Sequence, residues 1–365
     1  MIREKNRDPQ LITAKAFSRT LLEWSAQHPR THPWIGESDP YKIWISEIML
    51  QQTRSDQAEP YYRRFLKRFP SIQELSRAPI DEVLLVWKGL GYYTRARNLH
   101  AASKQLVQNH GGRFPVRYEE LIKLKGIGMY TAAAISSFAF GEARAVVDGN
   151  VVRFLSRLFG MAESFHGPEG KRIFQIQAQS LLDPAHAARH NQAIMDFGAT
   201  VCRPHNPECH RCPFRDSCQA FQQDRIPEFP VKKIRKALKK RYLHYFLLYD
   251  VKGCIAIRKR EDKDIWQELY ELPGVETRRN LILKSSEALA SYSSPFEKKR
   301  STKILPLTVE KQKLSHQEIS IRFYVIRNTG LRAKIKPLFS FVKPENLVNF
   351  AFPKVIGAFL HKHLS

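Results

Sequence analysis

Residues 121–150 constrain what this chain can fold into more than any other stretch. Leu121, Ile122 and Leu124 close an apolar stripe, Lys125, Gly126, Ile127 and Gly128 form a tight turn, and a second helix runs from about Tyr130 to Phe140. Two glycines one residue apart admit backbone conformations that a side chain forbids, and they let the main chain approach a ligand closely. The free amides in the first turn of the next helix suit an anion such as a phosphate. Past Gly141, residues 145–150 lead into a third helix with Asp148 at its mouth. A Gly-x-Gly turn also joins helices in ordinary all-α proteins, and Asp is a favoured helix N-cap. The rest of the chain has to decide between these readings.

Upstream, residues 14–27 read as a helix, and residues 28–36 as a loop containing Arg30 and Trp34. Ser38, Asp39 and Pro40 give a cap followed by proline in the first turn, a start signal for a helix running to about residue 52. Glu47 lies on it among Ile43, Trp44, Ile48 and Leu50, and its neighbours three and four residues away include no cation. A carboxyl partly buried without such a partner has a raised pKa and can remain an acid near neutral pH. The alternative is a glutamate on the helix rim. Helices follow at 61–69 and 81–88, and then Gly89, Leu90, Gly91, Tyr92 and Tyr93 form a sharp turn with Arg95 and Arg97 close behind. Apolar wedges beside arginines suit insertion into a base stack, although Leu90 and Tyr92 suit core packing as well. Further helices are expected at 151–159, 170–182 and 190–202.

The charge points to a partner. Lys plus Arg number 60 against 35 Asp plus Glu, a formal net charge of +25, and a soluble protein this basic usually meets a polyanion. No run of about 18 apolar residues could span a membrane and the first residues lack the apolar core of a signal peptide, so an intracellular location is expected. At 365 residues the chain is long enough for two domains. Four of its five cysteines, Cys202, Cys209, Cys212 and Cys218, fall within 17 residues. In an intracellular chain this reads as a metal site rather than a disulfide framework. A four-thiolate zinc site usually has two well-separated Cys-x-x-Cys pairs. One pair with irregular flanks fits a [4Fe-4S] cluster better.

Residues 222–241, with Pro227, Pro230 and a basic run from 232, read as an interdomain linker. Beyond it, 242–249 and 254–258 look like a hairpin across 250–253, and Ile319, Ile321, Phe323 and Val325 alternate as in a half-buried strand. With helical segments near 281–292 and 354–363, this is a smaller α+β domain.

Together the stretch from Pro40 to Thr53, the Gly89-Leu90-Gly91-Tyr92-Tyr93 turn, the hairpin with Val147-Asp148-Gly149-Asn150, and the four-cysteine loop resemble the MutY-type adenine DNA glycosylases of the helix-hairpin-helix superfamily. The resemblance covers nearly the whole chain. It implies a mainly α catalytic domain at 1–221 with an iron–sulfur loop at 202–218, a linker at 222–241, and a Nudix-like (MutT-like) lesion-recognition domain at 242–365. It also implies excision of adenine mispaired with 8-oxoguanine or guanine in duplex DNA. Glu47 would protonate the base and Asp148 would stabilise the oxocarbenium-like sugar, with Tyr130 and Asn150 beside it. Strand-cleaving relatives carry a Schiff-base lysine two residues after the Gly-x-Gly turn, where this chain has Tyr130. A phenol forms no imine, so a monofunctional enzyme is expected.

By the same resemblance Arg30, Trp34 and Gln192 line the adenine pocket. Gln52, Thr53, Leu90, Tyr92, Gly126 and Gly128 contact DNA, and Ser315 and His316 read the 8-oxoguanine. Ile35 and Leu314 depart from the family pattern, which expects a polar residue and a Phe there. The metal-binding acidic cluster of a Nudix hydrolase is missing after Leu272-Pro273-Gly274, so recognition without nucleotide hydrolysis is expected. The partner is duplex DNA, with no membrane. The chain is expected to act as a monomer in the bacterial cytoplasm, on the nucleoid. Two rival readings remain, a bifunctional endonuclease III-like glycosylase/lyase and a non-catalytic DNA-binding module. Tyr130 argues against the first, and Glu47 with Asp148 against the second.

Overall fold

The computed structural model describes residues 12–231, 237–283, 306–314, 316–326 and 338–364. Two compact units emerge: Met1–Arg77 with Asn98–Ile234, and Ala78–Arg97 with Arg235–Ser365. The first is helical. It holds α1 (Ala14–Gln27), α2 (Pro40–Leu50), α3 (Ser55–Arg68) and α4 (Ile72–Arg77). After α5 (Ile80–Trp87), α6 (Thr94–His110) brings the chain back, and α7 (Tyr118–Leu121), α8 (Met129–Phe140), α9 (Gly149–Phe159), α10 (Pro168–Leu181), α11 (Ala187–Thr200) and α12 (Gln219–Gln222) follow. Helix α8 buries Thr131 through Ser137 without a break, as expected of a helix enclosed on all sides rather than one facing solvent. Around the start of α9 the core is aromatic: the ring of Phe154 lies 4.6 Å from Phe197 and 5.3 Å from Phe214. Gly198 of α11 lets that helix press on the start of α9, since a Cβ there would stand 2.6 Å from the Asn150 carbonyl oxygen.

The second unit contains β1 (Lys239–Leu248), β2 (Ile255–Lys259), β3 (Tyr270–Glu271), β4 (Gly274–Thr277), β5 (Thr308–Lys313), β6 (Gln317–Ile326), β7 (Ser340–Val342) and α13 (Lys354–Leu364). A four-stranded sheet has the order β4-β1-β6-β5 and a three-stranded one the order β3-β2-β7. Strand β1 runs parallel to β6, with Tyr242 opposite Ser320, and antiparallel to β4. Ile319, Ile321 and Phe323 alternate into the core, as their spacing predicts, and Phe323 stacks on Phe359 of α13 at 4.0 Å.

The expected hairpin of residues 242–258 forms only at its turn. Tyr249 and Ile255 make a single bridge, after which the strands enter different sheets. Both edges of β1 are occupied by β4 and β6, so no ladder is left for β2. Residues Ala78–Arg97, inside the stretch assigned from sequence to the first domain, group with this second unit. Polar ties hold them there: Asp81 pairs with Lys259 and accepts from the Tyr270 hydroxyl, Lys88 reaches the Phe350 carbonyl, and Arg97 donates to the Gln267 carbonyl at 2.8 Å. Of the helix expected at 281–292, residues 284–292 lie outside the described residues. Among the described residues, no helix is long and apolar enough to cross a membrane.

Candidate active site

The site grows from two helix starts and one helix interior. The Asp39 carboxylate accepts the Tyr41 amide at 2.9 Å and Pro40 takes the first position of α2, where its missing N–H leaves nothing unpaired. Two turns on, Glu47 is 6% exposed and accepts a 2.5 Å hydrogen bond at Oε2 from the Tyr130 hydroxyl at the start of α8. Burial pushes the Glu47 carboxyl up to about 7; the Tyr130 bond pulls against this, and the nearby Asp148 charge adds to it. Tyr130 itself is driven well above its ordinary range, by burial first and then by the negative charge it faces.

Asp148 is the N-cap of α9. Its Oδ1 accepts the amides of Asn150 and Val151, both at 2.8 Å, and its Oδ2 accepts the Asn150 side chain at 2.6 Å. Burial raises its pKa, while those bonds and the charge of Arg153 pull it down. Asp148, which caps α9 through three donors, thus lines the same cleft as the buried Glu47 carboxyl. That cleft, of about 1190 Å³, brings together Glu47, Tyr130, Asp148 and Asn150.

Arg30, Trp34, Gln192, Gln52, Thr53, Gly126 and Gly128 line the same cleft, and so does Ile35. Of the two hairpin glycines only Gly126 is required by its backbone: its φ is +76°, and a Cβ would sit 2.5 Å from that of Asn98, whereas Gly128 has open space. Gln52 adopts φ +58°, a conformation costing roughly 1–3 kcal/mol that persists where the surroundings enforce it, commonly at ligand-contacting positions.

Sequence reasoning missed His32, Met195, Asp196 and Arg153. The first three line the cleft. Arg153 is 8% exposed and binds the Asn150 Oδ1 at 2.9 Å, the Gly198 carbonyl at 2.5 Å and the Cys202 carbonyl at 2.7 Å. It thus ties the Asp148 cap to the first cysteine. The only sequence signal for it was an arginine one turn after Asp148 on the apolar helix α9.

Cys202, Cys209, Cys212 and Cys218 line one small pocket of about 30 Å³ with Phe154 and Phe214, and none is in a disulfide. Arg157 clamps this loop, donating to Cys202 Sγ at 3.5 Å and to the Arg203 carbonyl at 2.8 Å, while Cys218 Sγ donates to the Arg157 carbonyl at 3.3 Å. Burial pushes the Cys212 thiol up to about 12 and that of Cys218 to about 11, so thiolates here require a cationic centre to bind. Four thiols around one small pocket fit a group that binds several thiolates.

In the second unit, Leu90 is 5% exposed and Tyr92 is 53% exposed with φ +48°, so this turn presents the tyrosine and buries the leucine. His316 lies exposed in the β5–β6 loop, and Leu314 packs on the sheet core. Ser315 lies outside the described residues.

Residues 45–178 match the HhH-GPD superfamily of base excision DNA repair proteins and residues 244–362 match a NUDIX domain. The class is thereby set: a helix-hairpin-helix DNA N-glycosylase, hence a hydrolase, carrying a Nudix domain. A solved thermostable thymine-DNA glycosylase superposes with a TM-score of 0.54 at 29% identity, over 57% of this chain and 97% of that one. The adenine DNA glycosylase of Buchnera aphidicola subsp. Baizongia pistaciae is 37% identical over 314 residues, covering 85% of this chain and 86% of its own. That of Rattus norvegicus is 40% identical over 228 residues, 59% of this chain and 44% of its own. The chain belongs to the adenine DNA glycosylase family.

Proposed function

We propose that this protein removes adenine mispaired with 8-oxoguanine or guanine in duplex DNA, by monofunctional hydrolysis of the N-glycosidic bond. The observation that carries the reading is Glu47: a carboxyl held at about 7 by burial, oriented by Tyr130, in one cleft with Asp148. Adenine is a poor leaving group until a ring nitrogen is protonated, and a neutral carboxylic acid supplies that proton. The base must leave the stack to reach it, entering between Arg30, Trp34 and Gln192. Loss of the base leaves an oxocarbenium-like sugar. Asp148, fixed by its capping bonds and those of Asn150, stabilises that charge. Glu47, now ionised, takes a proton from the attacking water. At the position of the lyase lysine stands Tyr130, which holds Glu47 and makes no imine.

The hairpin amides flanking Gly126 and Gly128 bind phosphate, Gln52 and Thr53 occupy the gap left by the base, and Leu90 and Tyr92 shape the turn that meets the duplex. His316, with Ser315, reads the oxidised guanine in the Nudix-like domain. Cys202, Cys209, Cys212 and Cys218 would hold a [4Fe-4S] cluster, which when bound cross-links the loop at 202–218. In this reading residues 1–221 are the catalytic domain, 222–241 the linker and 242–365 the lesion-recognition domain. The protein works as a monomer on the bacterial nucleoid.

The test is single-turnover excision from duplexes with adenine opposite 8-oxoguanine, guanine or thymine. Rates ordered 8-oxoguanine, then guanine, with thymine far behind, support the reading; equal rates on all three refute it.

A further inference from the structure

The polar groups on the Arg30 side of the cleft form one continuous relay, and we infer that it makes the pocket select a base bearing an amine at C6 over one bearing a carbonyl, with Asp196 and His32 as positioning residues. The inference rests on the adenine reading and deepens it. The relay starts on α11, where Gln192 Nε2 donates to Asp196 Oδ2 at 2.9 Å. Asp196 Oδ1 pairs with Arg30 Nη1 at 3.6 Å. Arg30 Nη2 donates to His32 Nε2 at 2.8 Å, and His32 Nδ1 reaches Glu59 Oε2 at 3.3 Å. Two hydrogen bonds from Arg63 hold Glu59 in turn. The His32 ring stacks on Trp34 at 5.0 Å and 17°.

Each link fixes the polarity of the next. A guanidinium only donates, so His32 Nε2 must accept, its proton sits on Nδ1, and Glu59 is the acceptor that holds it there. Arg30 is thereby kept against Asp196. Burial raises the Asp196 carboxyl, and the Gln192 bond followed by the charge of Arg30 pulls it back. With both Asp196 oxygens accepting, one from Arg30 and one from Gln192, the Gln192 NH₂ is turned toward Asp196. What Gln192 then offers the cleft is its carbonyl oxygen. An exocyclic amine donates to that oxygen, whereas a C6 carbonyl meets it lone pair to lone pair, and a site built around one hydrogen-bond polarity rejects the opposite one. None of this bears on the acid step, because Glu47 protonates the ring nitrogen of either base. The relay therefore separates recognition from chemistry, and the two respond to different substitutions.

The experiment compares single-turnover excision of adenine and of hypoxanthine, each opposite 8-oxoguanine, in the wild-type protein and in the His32→Leu, His32→Gln and Asp196→Asn variants, with thermal melting as the check on folding. His32→Leu removes the acceptor that aims Arg30, and Asp196→Asn lets Gln192 present either end of its amide. Both are expected to lower the adenine-to-hypoxanthine rate ratio about tenfold, the weight of one oriented hydrogen bond. His32→Gln can accept from Arg30 and donate to Glu59, and should return the ratio to within about threefold of wild type. An unchanged ratio in the Leu and Asn variants, equal loss on both bases, or no rescue by Gln would overturn the inference. Wild-type protein that leaves adenine in place would instead overturn the adenine reading itself, and the inference with it.

Discussion

Replacing Glu47 by Gln should abolish excision and at the same time stabilise the fold, by an amount that depends on pH. The carboxyl moves from an ordinary 4.5 to about 7 on folding, chiefly by burial. An acid raised in this way costs the folded state nothing below its unfolded pKa and destabilises it increasingly as pH rises from 4.5 through 7. With about 1.4 kcal/mol per pKa unit, the buried carboxylate costs roughly 3 kcal/mol at pH 8 and about 1 kcal/mol at pH 5. Glutamine has the same shape, carries no charge and still accepts the Tyr130 hydroxyl, so the variant escapes this cost. Urea unfolding followed by the helical signal, which arises mostly in the first unit, should place E47Q above wild type by about 3 kcal/mol at pH 8, with the gap closing to about 1 at pH 5. Such a trade between stability and activity is common where a site keeps an unfavourable group for its chemistry. A gap independent of pH, or a variant less stable than wild type at pH 8, would refute the assignment of Glu47 as a buried acid.

Tyr130→Phe removes a bond that favours the ionised form of Glu47, so the acid should persist to higher pH. The alkaline limb of the excision rate should move up by about one unit or more, and a limb that stays put or moves down would contradict the hydrogen bond. Arg153→Met leaves three carbonyl oxygens in and around α9 and α11 without their donor. A loss of about 2–4 kcal/mol in unfolding free energy is expected, together with slower excision, since the Asp148 cap loses its support; a change under about 0.5 kcal/mol would show the link to be idle. Gly126→Ala forces a Cβ against Asn98 at positive φ, which should cost about 1–3 kcal/mol and weaken duplex affinity through the displaced hairpin. Unaltered affinity in a folded variant would remove the hairpin from the DNA contact.

How far the residues themselves disclosed this site depended on the distance over which each contact is made. Glu47 stood out because its helix neighbours are local, and Asp148 because a cap is local too. That Tyr130 is Glu47's partner was not legible, since the bond spans 83 residues and depends on how α2 and α8 pack. The relay through His32 and Asp196, and the tie from Arg153 to Cys202, were hidden for the same reason. The cysteine spacing disclosed that the four cysteines belong together, as they do around one pocket, but not the Arg157 clamp, whose carbonyl partners have no side-chain signature. Leu90 and Tyr92 read alike as wedges, and only the fold separates a buried leucine from an exposed tyrosine. In the second unit, alternation revealed β6 but not pairing: residues 242–258 look like a hairpin because a turn joins two apolar strands, whereas the parallel partner of β1 lies about seventy residues further on.

Monofunctional excision is decided by single-turnover treatment of a duplex containing one adenine opposite 8-oxoguanine, analysed with and without alkali to break the abasic strand. Strand breaks are expected only after alkali, with none from the Glu47→Gln protein. Breaks without alkali, after controls for contaminating lyase, would contradict the role given to Tyr130, and no product under either condition would leave a protein that binds DNA without acting on it.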